Sequence, residues 1–161
     1  MLTQETLLAR LSELGISGRT VTHAPVYTVD EAKAHRDGLP GGHTKNLFLK
    51  DKKGRMFLVT ADEDQEIDLK SLRDKLDCKP LSFASSERLM TYLGVKPGSV
   101  TPLAVINDSD GVVTLALDRS LLSHPWINVH PLVNTATTAL TPDDLMRFLE
   151  TCGHAPLMID F

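Results

Sequence analysis

His43-Thr44-Lys45-Asn46-Leu47-Phe48-Leu49-Lys50 decides how this chain is read. Leu47, Phe48 and Leu49 form an apolar run short enough for a strand entering a core. Lys45 and Asn46 then sit at its rim on a fixed base. Pro40-Gly41-Gly42 delivers the chain to this point, and the two glycines leave room for the backbone of a ligand. Beyond the run, Asp51-Lys52-Lys53-Gly54 separates it from Arg55 to Thr60, a second apolar stretch. Gly in such a position marks a β-hairpin. A lysine at a strand rim either binds an anion or closes a surface edge, and this segment alone leaves both open.

Outward from the hairpin, helices and strands alternate. Leu7, Leu11 and Leu14 lie at helical spacing with Gly15 at the stop, and Arg19 to His23 reads as a strand. Thr28-Val29-Asp30-Glu31 has the capping-box form, predicting a short helix that ends near His35, with loop from Asp37 to His43. Asp68 begins a helix through Leu69, Leu72 and Leu76, and Ser85 or Ser86 caps another that ends at Gly94. Leu103 to Ile106 and Val112 to Leu117 flank Asn107-Asp108-Ser109-Asp110-Gly111, predicting a second hairpin. Trp126 to His130 and Thr135 to Leu140 are expected strands, and Thr141-Pro142 opens a last helix that Gly153 closes. With hairpins dominant, the expected fold is α/β, one domain over residues 1–161, with a mixed and mostly antiparallel sheet surrounded by helices.

Composition limits the function classes. A chain of 161 residues with 42% hydrophobic content suits one domain with a real core. No run approaches the roughly 18 apolar residues that span a bilayer, and Met1-Leu2-Thr3-Gln4-Glu5 does not read as a signal peptide. Cys78 and Cys152 are far apart and make no CxxC, so two idle thiols in a reducing cytoplasm are expected, without a disulfide. The net charge of −4 argues against a general nucleic-acid binder. Between residues 33 and 55, however, seven Lys and Arg face two Asp, giving +5 there and −9 elsewhere. A basic patch on an acidic body fits contact with a few phosphates.

No conventional catalytic motif appears. The acidic run Asp62 to Asp68 lacks the glycine and the distant glutamate of a calcium loop, and the six histidines make no HExxH. GxSxG, P-loop and dinucleotide fingerprints are also missing. Neither metal nor cofactor is therefore expected. Gly98-Ser99-Val100-Thr101-Pro102 is more suggestive: N–H groups of Gly98, Ser99 and Val100 could converge on an oxygen, as in an oxyanion hole or phosphate nest. The same residues also fit an ordinary turn. His130, between Val129 and Pro131, can be structural or catalytic.

Taken in order, Thr44 to Leu49, the partner stretch Met56-Phe57-Leu58-Val59, the Gly98 to Pro102 loop and His130 resemble the aminoacyl-tRNA editing family. That family comprises YbaK-type deacylases and the editing domain inserted in bacterial prolyl-tRNA synthetases. The resemblance covers roughly residues 20 to 150 and is nearest to its free-standing alanyl-tRNA(Pro) deacylases. It implies a YbaK-like fold and a cytoplasmic ester hydrolase acting in trans, since no synthetase motif accompanies it. The implied substrate is alanine esterified to the terminal adenosine of proline tRNA, with prolyl-tRNA synthetase as a further partner. The family lysine maps onto Lys45, its GxxxP loop onto Gly98 to Pro102, and its histidine onto His130. These imply catalytic roles for Lys45, Gly98 and His130, and substrate contacts from Thr44, Asn46, Ser99, Val100 and Pro102. Val29, Ala32 and Val129 are candidate pocket walls by neighbourhood. Two readings compete: a deacylase for cysteine or serine, and a non-catalytic tRNA-end or nucleotide-binding module on the same fold.

Overall fold

The expected hairpin is the centre of the molecule: β2 (Gly42–Asp51) pairs antiparallel with β3 (Met56–Asp62) from Thr44↔Asp62 to Lys50↔Met56. The computed structural model describes residues 1–33 and 39–161, and for residues 32 and 33 the backbone only. The turn is held by the Asp51 carboxylate, which accepts the N–H groups of Lys53 and Arg55, both at 2.9 Å, and of Lys79 at 3.2 Å. Burial alone would raise the pKa of Asp51, but these backbone donors, with the Arg55 charge, bring it below the usual carboxylate value.

Leu47 to Leu49 and Met56 to Val59 are apolar at successive positions because both faces of the hairpin are covered there. Phe48, Met56 and Leu58 pack into the larger core with Leu7 and Leu11 of α1 (Gln4–Glu13), Leu89 and Leu93 of α4 (Ser86–Leu93), and Phe148 of α5 (Pro142–Thr151). Leu49, Phe57 and Val59 point the other way, onto Leu72 and Leu76 of α3 (Leu69–Leu76). Each such fully buried side chain contributes about 1.5–3 kcal/mol. A period-2 alternation thus exists, but it sorts one core from the other rather than core from solvent.

The sheet runs β1–β7–β6–β2–β3–β5–β8, where β1 is Arg19–Thr22, β5 Val113–Asp118, β6 Ile127–Val129, β7 Ala136–Leu140 and β8 Leu157–Ile159. A short β4 (Leu81–Phe83) pairs with β2 off this path. Four of the seven pairings are antiparallel (β1·β7, β2·β3, β2·β4, β6·β7) and three parallel, so the mixed, mostly antiparallel sheet is the one expected. Thr3, Asp68, Ser85 and Thr141 cap the four longer helices. In α2 (Val29–Lys33) the box is shifted: Thr28 Oγ1 accepts the Glu31 N–H at 3.1 Å, while the Glu31 carboxylate reaches back to the Tyr27 N–H at 3.0 Å. The expected end of this helix near His35 and the start of the following loop lie outside the described residues.

The second hairpin is not there. Leu103 to Ile106 belongs to a 3₁₀ segment, Pro102–Asn107, and β5 lies parallel to β3 instead. Thr101 caps the segment and Pro102 begins it, and a short run of wholly buried residues gives no periodicity to tell helix from strand. Cys78 and Cys152 are both free and half-buried, as anticipated. Among the described residues no helix is long and apolar enough to cross a membrane.

Candidate active site

β2 keeps β3 beside it along its length but changes neighbours on its other edge. Parallel β6 takes Gly42 and His43, and antiparallel β4 takes Leu49 to Asp51. Between them, Thr44 to Leu47 have no strand partner on that edge among the described residues. A cavity of about 250 Å³ opens at this split, lined by His43 to Asn46 of β2 and by Asn128, Val129 and His130. Gly98 and Val100 line it from the loop after α4, Val26 to Val29 from the segment entering α2, and Glu63 and Thr137 complete it.

Asn128 locks the two strands at the split. Its Nδ2 donates to Pro40 O and Gly42 O, both at 3.0 Å, and its own carbonyl accepts the Thr44 hydroxyl at 2.8 Å. Its Oδ1 is buried without a hydrogen-bond partner among the described residues. Gly42 answers to this packing rather than to a ligand: a Cβ there would lie 2.5 Å from the His124 ring, and the Gly42 N–H donates to Trp126 O at 2.8 Å. The expectation that Gly41 and Gly42 leave space for a ligand backbone is corrected accordingly, since Trp126 fills the space at Gly41 as well.

Lys45 is half-buried, and its ammonium pairs with no carboxylate among the described residues. It is the one Lys or Arg in the cavity wall among the described residues, opposite in sign to Glu63. The Asn46 Oδ1 is taken by the Thr60 hydroxyl at 2.6 Å, which leaves its Nδ2 to donate. His130 places Nδ1 3.3 Å from Ala136 O, so the proton belongs on Nδ1 and Nε2 carries the lone pair. Burial lowers the His130 pKa; the Ala136 carbonyl opposes the shift and the nearby His23 charge adds to it. His130 is therefore a neutral imidazole at neutral pH.

Of the eight residues singled out from sequence, Thr44, Lys45, Asn46, Gly98, Val100 and His130 line the cavity. Ser99 and Pro102 do not. Ser99 is buried and its N–H closes a turn onto Lys96 O at 3.0 Å, so it is not the third donor of a nest. Pro102 is buried as the first residue of the 3₁₀ segment. The N–H groups of Gly98 and Val100 meet no acceptor among the described residues and remain the loop's two donors. Val29 and Val129 are walls, while the side chain of Ala32 lies outside the described residues. Sequence reasoning missed Val26, Tyr27, Thr28, His43, Glu63, Asn128 and Thr137. The polar run His43 to Asn46 directly before an apolar strand was the available signal for His43; the others carried none.

The basic window of the sequence is not one patch. Lys45 stands at the cavity, whereas Lys52 and Lys53 are on the hairpin turn at the far end of β2, where Arg55 donates to Asp77 O and covers the Phe57 ring. The acidic run is likewise spent on structure: the Asp62 Oδ1 accepts the Asp64 N–H and Asp68 caps α3. No group of three His, Cys, Asp or Glu able to hold a metal occurs among the described residues. Burial, first, pushes the Cys152 thiol up to about 11 and raises Cys78 as well, so neither is a thiolate at neutral pH.

Residues 23–148 match the model of the aminoacyl-tRNA editing domain. The prolyl-tRNA editing protein ProX of Acetoanaerobium sticklandii is 40% identical over 94% of this chain and 93% of its own length. The prolyl-tRNA synthetase associated domain-containing protein 1 of Danio rerio is 42% identical over 94% of this chain and 83% of its own. Among solved structures, hypothetical protein APE2540 superposes with a TM-score of 0.76 at 21% identity, covering 96% of this chain and 97% of that one. A candidate trans-editing enzyme for prolyl tRNA synthetase gives 0.73 at 19% identity, covering 99% and 97%. At these identities the two superpositions speak for the fold.

Proposed function

This chain belongs to the aminoacyl-tRNA editing domain family, and from that premise we propose that it is a free-standing deacylase for alanine mischarged onto proline tRNA. The observation that carries the reading is the meeting of Lys45, Asn46, Gly98, Val100 and a neutral His130 on one small cavity. An aminoacyl ester is already activated, so positioned water and a stabilised oxyanion suffice, and a covalent nucleophile is not needed. The thiols lie off the cavity, and the Thr44 hydroxyl is committed to Asn128 O.

In this mechanism the Lys45 ammonium holds the phosphate or sugar of the terminal nucleotide. The Asn46 Nδ2 donates beside it. The ester carbonyl faces the N–H groups of Gly98 and Val100, which donate to its oxygen as negative charge grows there. Water, activated with help from the free ribose hydroxyl of the substrate, attacks the carbonyl carbon. The tetrahedral intermediate collapses with cleavage of the bond to the ribose oxygen, which takes up a proton. Free alanine and intact tRNA leave. His130, neutral with Nε2 unprotonated, contacts the aminoacyl group as a hydrogen-bond acceptor.

Discrimination follows from size. A synthetase pocket built for proline excludes alanine weakly, because each lost methylene forfeits only about 1–3 kcal/mol. A second site walled by Val26, Val29, Val100 and Val129 can reject proline by bulk while admitting alanine. The whole chain acts as a single editing domain in the cytoplasm. With one Lys or Arg in the cavity wall among the described residues and a net charge of −4, it takes the acceptor end rather than the stem, and prolyl-tRNA synthetase supplies further affinity.

The test is single-turnover deacylation of proline tRNA charged with alanine, cysteine, serine or proline. Rapid hydrolysis of the alanyl ester alone supports the reading. Preference for cysteine or serine would reassign the substrate, and binding without turnover would leave a tRNA-end binding module.

A further inference from the structure

We propose that the Tyr27 ring is the platform on which the base of the terminal nucleotide stacks while its ester occupies the cavity; this rests on the deacylase reading above. At about 250 Å³ the cavity is smaller than the roughly 300–1,000 Å³ that encloses a drug-sized ligand. It has room for a small aminoacyl group and part of a ribose, so the attached base must lie outside, at the rim.

Tyr27 lines that rim and leaves 67% of its surface in solvent. Phe83, at 64%, and Met90, at 43%, are also exposed, but neither touches the cavity. The exposure of Tyr27 is not that of a loose side chain. Its N–H is held by the Glu31 carboxylate at 3.0 Å, and the preceding carbonyl, of Val26, accepts the Asn134 Nδ2 at 2.7 Å. Below the ring is Gly98, at φ +88°, where a Cβ would come 2.8 Å from Cδ1 and 3.4 Å from Cε1 of Tyr27. The absence of a side chain at 98 therefore lets the Cδ1–Cε1 edge of the ring come close against the loop that carries Gly98. The hydroxyl has no partner among the described residues, so no hydrogen bond explains why a large amphipathic ring stays in water.

An exposed aromatic ring on the same cavity as Lys45, the one Lys or Arg of its wall among the described residues, is the pairing that single-stranded nucleic acid requires, one for the base and one for the phosphate. Stacking is indifferent to base identity, since every base has a π-face. Tyr27 accordingly supplies affinity and places the ribose, while the Val walls choose the amino acid.

The experiment is a binding cycle with uncharged RNA hairpins carrying the acceptor stem of proline tRNA. One hairpin ends in adenosine and the other in a base-free ribose. Removing the base should raise the Kd of the wild-type protein roughly 5- to 150-fold. Tyr27→Ala should lose a similar factor on the adenosine hairpin and almost nothing on the base-free one. Tyr27→Phe should match wild type on both. The proposal is overturned if base removal costs Tyr27→Ala as much as wild type, or if Tyr27→Phe behaves like Tyr27→Ala. Because the RNA is uncharged, the cycle reads the base contact apart from hydrolysis: coupling of ring to base, together with no turnover of the charged tRNAs in the assay above, would support the base contact while rejecting the hydrolase reading.

Discussion

Replacement of Lys45 by alanine tests the site most directly. The ammonium pairs with no carboxylate among the described residues and sits on a strand fixed by seven residue pairs to β3. Its removal should therefore change folding stability within about 0.5 kcal/mol, as for a surface site, so a change in rate cannot be laid to unfolding. At about 4 Å from a phosphate, with an effective dielectric constant near 20, a unit charge gains at most about 4 kcal/mol. Loss of one preorganised electrostatic contact typically costs ~10²–10³ in rate. That range is expected here in single-turnover deacylation of alanyl-tRNA(Pro). The slope of log affinity against log salt should also fall by about one. Lys52→Ala is the control. Seven residues along a strand rising about 3.3 Å each put Lys52 roughly 20 Å away, more than two Debye lengths at about 0.15 M salt. Lys45→Arg keeps the charge, but the wider guanidinium fork should not fit so small a cavity, and the rate should remain low. A wild-type rate for Lys45→Ala would remove Lys45 from the site and the mechanism with it.

Further expectations concern titration and packing. Because burial holds the His130 pKa below its ordinary 6.5, kcat/KM should be flat at and above that pH and bend downward only below it. An inflection at or above 6.5 that His130→Asn abolished would refute a neutral role. The same shift makes the unfolded chain bind the proton first, so the contribution of His130 to stability is present above pH 6.5 and declines as the pH falls. Asp51, whose pKa is lowered, contributes stability above its ordinary 3.8 that disappears as acid titrates it in the fold. Asp51→Asn should lower Tm at neutral pH yet narrow the gap to wild type in acid, with deacylation at permissive temperature unchanged; equal gaps at both pH values would contradict this. Gly98→Ala forces a side chain into left-handed backbone and against Tyr27. It should cost about 1–2 kcal/mol of stability and most of the activity, and an unaltered rate would show that neither the loop donors nor the ring needs its present place.

Different parts of this molecule were legible for different reasons. The central hairpin could be read from Leu47 to Thr60 because its turn is local: Gly54 and the Asp51 carboxylate act within a few residues of one another. Caps at Asp68, Ser85 and Thr141 are legible for the same reason. Leu103 to Ile106 misled because a buried 3₁₀ segment and a buried strand present the same apolar letters. β4 and β8, three residues each, are too short to show any period. At the site, Lys45, Asn46 and Gly98 stood out as unusual residues beside an apolar run or in a Pro-Gly loop. Tyr27, Glu63, Asn128 and Thr137 did not, since what brings them together is the pairing of β6 with β2 and of β1 with β7. Ser99 is buried and the turn at Lys96 consumes its N–H, a geometry no spacing rule contains.

The split edge of β2 also fixes when, during synthesis, a working protein can exist. Lys45 and Asn46 leave the ribosome early, but Thr44 waits for the carbonyl of Asn128, 84 residues later in the chain. Until that segment emerges, the β2–β3 hairpin lacks the strand that completes its cavity, and β5, on the other side of β3, emerges only shortly before it. Contacts of such long sequence separation form late and slowly. Meanwhile a hairpin that is apolar on both faces, with open edges, is the part of the nascent chain most apt to stick to another copy. Nor can a shortened chain be partly competent: ending anywhere before His130 removes one whole wall, so function arrives in a single late step.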